Sequence, residues 1–368
     1  LKKKVSSILK FLIFIGIGVG IFWWFYNSQN VAFQEQLRLE GKQPRSLASK
    51  LFEDFKSVNL FWISMTLLAF SVSNWSRSVR WRMLIRPLGV EPKLFNLFAA
   101  VNISYLTNLW MSRAGEVVRA GTLARYEGLS LSRTMGTVIV DRLLDMISLT
   151  LIMTFAIFIQ FDTVWGYLSQ NAKLPTNPLS SPLFLGLLGV MLLVGVVLWL
   201  FRNKIFETKI GQKIREILAK MWEGSKTVKQ LENRGLFIFH SINIWLMYYL
   251  MTYFCFFAFA PTALLSPWAA LTVFVFGSFG IVIPSPGGMG TYHVLVTAAL
   301  AIYGVESNDA FSFANIVFFS IQIFYNVVAG GLSMILLPFL NHKSTQEVDP
   351  LHIPSDEEIM EAIDVDKM

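Results

Sequence analysis

Cysteine and histidine are scarce in this chain of 368 residues, which has one cysteine, Cys255, and four histidines. A single thiol excludes an intrachain disulfide framework, and histidines without HExxH or CxxC spacing offer no recognisable zinc site. The Walker pattern is missing too, so nucleotide hydrolysis is not expected, and no metal or cofactor is implied. Charge is thin: 15% of residues carry one, against 54% that are hydrophobic, with 32 Phe and 11 Trp among them. That balance exceeds the apolar content of soluble domains and points to an all-α integral membrane protein. The formal net charge of +7 does not suggest nucleic acid. Most Lys and Arg lie between apolar runs, where positive-inside topology puts them.

The first run, "LKKKVSSILKFLIFIGIGVGIFWWFY", has a basic start but no small-x-small cleavage site after it, so a retained membrane helix is expected. Further apolar runs lie at 59–76, 94–111, 134–160, 183–201, 236–260, 268–283, 291–304 and 311–338. Several reach the ~20 residues needed to cross a hydrocarbon core of ~30 Å, whereas 94–111, 268–283 and 291–304 are short or interrupted. Residues 77–93 carry Arg77, Arg80, Arg82, Arg86 and Lys93 against Glu91, and in 202–235 Lys and Arg outnumber Glu. Both read as cytoplasmic loops, together with the Lys-rich N-terminus, and the sparsely charged 161–182 reads as external. Parity then predicts about six spanning helices. Two re-entrant helical hairpins of opposite orientation complete the count, 94–130 from the cytoplasm and 268–304 from outside, with both termini cytoplasmic. Residues 27–58 must then lie outside despite their own basic residues. Residues 1–340 form one polytopic membrane domain. Within it, 203–234 spaces Ile205, Ile210, Ile214, Leu218 and Trp222 among lysines as an amphipathic cytoplasmic segment. Residues 341–368 read as an acidic, mobile cytoplasmic tail.

The hairpins resemble each other. "AAVNISYLTNLWMSRAGEVV" from Ala99 and "AALTVFVFGSFGIVIPSPGGMG" from Ala269 each run from a double alanine through apolar residues to a small-residue break. Interrupted apolar segments at corresponding places in two halves suggest an inverted repeat and point to a binding site, because broken helices expose backbone groups that only a lined cavity or protein interior tolerates.

Charges cluster beside the first break. Arg113, Glu116 and Arg119 follow at three-residue steps and give one helical face alternating charge, while Arg125 and Glu127 read as interfacial. The long apolar helix after them contains Asp141, Arg142 and Asp145. Asp145 lies roughly 15 Å beyond Met135 at 1.5 Å per residue, near mid-membrane. A carboxylate there costs at least ~2.5–3.5 kcal/mol and should face a partner or water. Asp141 and Asp145 share a face, and Arg142 can meet Asp145 at i,i+3 or reach Glu116 instead. The alternative for the whole group, compatible with a cavity whose walls it would hold, is a salt-bridge clamp that binds nothing. Asn315, Gln322 and Asn326 form one stripe of the last helix, where interhelical hydrogen bonding is expected. Cys255 reads as a packing residue.

"SRAGEVVRAGTLAR", "VIVDRLLDMISL" and "PSPGGMG", in that order, resemble the signature of the lysylphosphatidylglycerol synthase transmembrane-domain, or flippase-like, family. The resemblance covers most of residues 8–340 and implies movement of a polar or charged lipid across the bilayer. Its motifs carry over to Arg113, Gly115, Glu116, Arg119, Asp141, Arg142, Asp145, Pro284, Pro286, Gly287, Gly288 and Gly290. His293 stands where relatives often place an acid, so the resemblance implies a different preferred headgroup charge. The helix restarting near Thr291 would offer free N–H groups to a lipid phosphate. Residues 341–368 are too few for the soluble synthase domain of some relatives, and aminoacyl transfer is not expected. Expected partners are membrane lipids, with a membrane-protein partner or homo-oligomer, and the expected location is the bacterial cytoplasmic (inner) membrane. Two other readings stay open. One is a membrane-embedded headgroup-transfer enzyme using Asp141 and Asp145 as metal carboxylates; the other is a non-transporting subunit of a membrane complex.

Overall fold

The structure is a computed structural model that describes residues 2–111, 114–171, 233–283 and 288–341, with Pro175, Asn177, Ser181, Leu185, Gly186 and Ser285. The described residues fall into two compact units, Leu1–Asp141 with Gly235–Met368, and Arg142–Arg234. Every regular element among them is helical. The expected run at 183–201, apart from Leu185 and Gly186, the amphipathic segment up to residue 232 and the acidic tail from residue 342 lie outside the described residues.

Helix α1 spans Lys2–Leu39 and α2 spans Leu47–Ser57, which begins where the Ser46 side chain accepts from the Ser49 amide. Asn59 caps α3, Leu60–Ile85, in the same way through the Phe61 amide, satisfying one of the amides a helix start leaves open. A short 3₁₀ turn, Arg86–Leu88, ends α3 at Gly89, whose φ of 82° is the left-handed conformation glycine adopts without strain. Helices α4 (Leu94–Trp110), α5 (Ala114–Glu127) and α6 (Leu131–Asn171) follow. After the gap come α7 (Arg234–Ala258), α8 (Pro267–Val282), α9 (Thr291–Ala301) and α10 (Ser307–Phe318). A π-helical stretch, Phe319–Tyr325, joins α10 to α11, Asn326–Leu340.

Among the described residues, three helical stretches are long and apolar enough to cross a membrane: Leu131–Tyr167, Arg234–Ala258 and Ser307–Leu340. The pair α2 and α3, bent by 83° at their break, passes the same test together. Large apolar side chains of α6, including Leu151, Phe155 and Phe158, are exposed, as a lipid-facing surface requires. The core of the first unit joins Phe70, Cys255, Phe256, Val296, Phe313 and Ile321, from α3, α7, α9, α10 and the π stretch. Cys255 is fully buried there against Thr66, a packing position as expected.

One expectation needs correction. Residues 77–93 do not form a basic loop throughout, because α3 continues to Ile85 and buries Arg77 and Arg80. The polar stripe also differs. Asn315 donates to the Phe311 carbonyl and Asn326 to Gln322, so these bonds run along their own helical stretch, not across to another helix.

Both interrupted segments are pairs of short helices packed on each other, α4 on α5 and α8 on α9. Small residues permit the close approach. A Cβ built at Gly115 would lie 2.3 Å from the Ser104 carbonyl oxygen, and one at Gly280 would lie 2.6 Å from the Tyr292 Cα. Gly280→Ala should therefore destabilise the protein by about 1–3 kcal/mol through overpacking. Gly121→Ala, whose new Cβ would have its nearest neighbour 3.9 Å away, should be close to neutral. Thermal unfolding of the two variants in detergent compares them, and equal midpoints would refute the close packing of α8 on α9.

Candidate functional site

The buried face of α3 carries a ladder of polar groups: Ser73, Asn74, Arg77, Ser78 and Arg80. Steps of three and four residues stack these on one side of the helix. The opposite side is different. Arg82 and Arg86 reach the exposed Glu91, whose carboxyl is held below its ordinary value first by the Arg86 hydrogen bond and further by the Arg82 charge.

Asp141, on the part of α6 that belongs to the first unit, receives three guanidinium groups. Arg80 donates through Nε and Nη2 to Oδ1, at 2.9 and 2.5 Å. Arg119 of α5 donates through Nη1 to Oδ2 at 2.8 Å, and Arg77 through Nη1 to Oδ2 at 3.4 Å. Asp141, Arg80 and Arg119 are 0% exposed and Arg77 is 2% exposed. Trp81 supports the cluster. Its ring lies 3.9 Å from the Arg119 guanidinium carbon, and its Nε1 donates to Thr137, one turn before Asp141. A weakly hydrated guanidinium on an indole face gains a cation–π attraction and loses water contact. The Arg77 Nη2 also donates to the Tyr248 hydroxyl of α7 at 3.3 Å, and Tyr248 meets the Tyr105 hydroxyl of α4 at 3.0 Å.

Burying these ions is favourable only where each finds charge and hydrogen bonds. The result is a dense group of guanidinium donors inside a helical membrane domain. Planar forks of this kind suit carboxylates and phosphates in two-point contact.

Of the residues singled out in sequence, Arg119 and Asp141 meet directly. Glu116 occupies the first turn of α5 and is half-buried, and Gly115 donates its amide to Asn108 at 2.9 Å. Arg142 and Asp145 belong to the second unit and pair with each other at 3.4 Å, the i,i+3 contact their spacing allows. Arg113, Pro284, Pro286 and Gly287 lie outside the described residues. Gly288 and Gly290, with φ of 84° and 82°, lead into α9. This second break is covered by α1: a Cβ at Gly290 would lie 2.8 Å from Ile21 and 2.9 Å from the Phe22 amide nitrogen. His293 is 1% exposed and packs among the rings of Phe22, Tyr292, Phe311 and Phe318. Those surroundings are a packing environment.

Sequence reasoning missed Arg77, Arg80, Trp81 and Tyr248. The signal for the first three was present, since the Pro87 and Gly89 stop lies beyond Arg86 and allows the helix to run that far. Tyr248 comes from a distant helix and had no local signal.

Neither the curated proteins nor the solved structures yield a match to this chain. The family model described as the lysylphosphatidylglycerol synthase TM region matches residues 7–330, and this integral membrane chain belongs to that family.

Proposed function

We propose that this chain moves a polar lipid with an anionic headgroup from one leaflet of the membrane to the other. The observation that carries the reading is the buried cluster of Arg77, Arg80 and Arg119 around Asp141. An interior of this kind is costly in a membrane protein, and such residues mark substrate or ion paths. In this reading Asp141 occupies the arginines while no lipid is bound, and a headgroup phosphate exchanges with it. Glu116 and the first break border the entrance from α5. The family supports a membrane lipid-related role.

The same proposal takes α4–α5 and α8–α9 as re-entrant pairs of opposite orientation in an inverted repeat, whose relative movement alternates access. Both termini then face the cytoplasm of a bacterial cell and the chain works as a transporter of membrane lipids, not as an enzyme. A headgroup transferase with Asp141 as a metal ligand is disfavoured by the three arginines on that carboxylate, which would repel a divalent cation.

Vesicles reconstituted with the protein and with fluorescent phospholipids provide the test, using a membrane-impermeant quencher to follow movement between leaflets. Wild type should equalise an anionic phospholipid between leaflets, and Arg119→Ala should slow that movement at least tenfold. Equal rates for the two proteins would overturn the assignment.

A further inference from the structure

Helix α1 meets α9 and α10 along one stripe. The Phe22 ring lies 5.0 Å from that of His293 and 6.2 Å from that of Phe311, and the rings of Phe25 and Tyr26 lie 5.5 and 6.5 Å from Phe311. Gln29, Phe33 and Leu37, all buried, continue the stripe at steps of three and four residues. The kind of contact changes along it. In the C-terminal half of α1 the contacts include side-chain hydrogen bonds to α10 and the residue before it: Ser307 donates to Gln29 at 2.7 Å, Asn308 to Gln36 at 2.6 Å, and Gln36 to Glu306 at 3.1 Å. The same half is tied to α2, since Asn30 accepts from the Leu47 amide at 3.1 Å and Gln34 donates to the Arg45 carbonyl at 2.5 Å. Helix α2 is in turn bound to α10, where the Lys50 ammonium meets Asp309 at 2.7 Å.

Ile21 and Phe22 are held differently, by van der Waals contact with Gly290 and by ring packing on His293 and Phe311. In a bilayer such contacts bring little net attraction, because acyl chains surround a released Ile or Phe about as well as α9 does. The face of α9 that Phe22 touches also shuts in polar atoms at a cost. His293 Nδ1 and, one turn further along that face, Thr297 Oγ1 are buried and make no hydrogen bond. A buried polar atom without a partner opposes the arrangement that buries it. Helix α1 is therefore fastened at its C-terminal half and only rests on α9.

We infer that α1 is a hinged cover: its C-terminal end stays on α2 and α10 as the pivot, while Ile21 and Phe22 lift from Gly290 and His293 and open the start of α9 to a passing lipid. This rests on the translocation reading and names a moving part for it. Phe22 precedes Gln36 by about 21 Å of helix at 1.5 Å per residue, so a tilt of about 10° at Gln36 carries Phe22 about 4 Å, roughly the thickness of one ring. Near the pivot the displacement is small, and the hydrogen bonds of Gln36 stay made. Lifting also gives His293 and Thr297 room to find the hydrogen-bond partners that buried polar groups require.

Reversible bridging of paired cysteines tests the cover, and the fully buried Cys255 leaves the introduced thiols as the accessible ones. Two pairs lock the N-terminal part of the stripe, Phe22→Cys with Phe311→Cys and Phe22→Cys with His293→Cys; a third, Gln36→Cys with Asn308→Cys, locks the pivot. Each protein is placed in vesicles containing acyl-labelled phosphatidylglycerol, bridged with a short thiol-specific crosslinker, and compared with itself after reduction. Bridging either of the first two pairs should slow lipid movement by about tenfold or more, and reduction should restore it. Bridging the third should leave the rate within about twofold. Having two pairs at the cover keeps the comparison available where one variant does not fold. Equal rates before and after reduction in a bridged Phe22 pair would overturn the cover and leave translocation standing. An equally strong block by the Gln36–Asn308 bridge would overturn the pivot. No lipid movement by the wild-type protein would overturn translocation itself, and the cover with it.

Discussion

Asp141→Ala is expected to lower the stability of the protein by about 3–5 kcal/mol, because removing one partner of a buried ionic group strands the charges left behind. Arg77, Arg80 and Arg119 all donate to this carboxylate and are buried to within 2% of completely. Without it, guanidinium groups remain in a low-dielectric interior that offers them much less solvation than water. The thermal midpoint in detergent should fall by about 5 °C, taking the unfolding entropy per residue of globular proteins as a guide. Added salt should not restore it, since screening acts poorly on buried pairs. A second substitution separates this cause from simple loss of packing. Combining Asp141→Ala with Arg80→Leu removes a stranded cation and should recover part of the loss, a non-additivity expected of residues in one network. A double variant that is less stable than Asp141→Ala alone, by the full cost of Arg80→Leu, would show that the two residues act independently.

This cluster also shows which parts of the site were legible in the sequence. Asp141 and Arg119 stood out because ionisable residues inside or beside an apolar helix are expensive and need a reason. The interrupted runs announced the helix pairs through their glycines, and Gly115 and Gly280 do sit where a side chain would collide with the partner helix. Arg77 and Arg80 were hidden by the rule that assigns basic segments to the cytoplasmic side. That rule counts charge and does not see that α3 turns these two residues inward and Arg82 and Arg86 outward. The surroundings of His293 were illegible for another reason. Phe22, Phe311 and Phe318 come from α1 and α10, so the aromatic enclosure exists only once distant elements have packed. The π stretch was equally hidden, because a register change inside an apolar helix leaves little trace in residue type.

Arg80→Lys is expected to keep the fold and lose most of the lipid movement. Arg80 holds Asp141 through two nitrogens on Oδ1 and reaches the Asp141 carbonyl oxygen at 3.5 Å, a grip that depends on the planar fork. Lysine retains the charge as a compact ammonium, but it cannot present two fixed donors to one carboxylate or phosphate. Losing one charge-assisted hydrogen bond of about 1.5–3 kcal/mol corresponds to about 10- to 100-fold in rate if that bond is made to the passing headgroup. The measurement is transbilayer movement of labelled phosphatidylglycerol in vesicles, paired with thermal unfolding of the same preparation. A cluster that only clamps helices would lose stability on this change with no separate effect on movement. A cluster that hands Asp141 and phosphate back and forth should show a rate lowered by about tenfold or more in protein that still unfolds cooperatively, whatever the fall in midpoint. Wild-type movement by Arg80→Lys would mean that charge alone serves there, and would refute two-point recognition of the headgroup by this arginine.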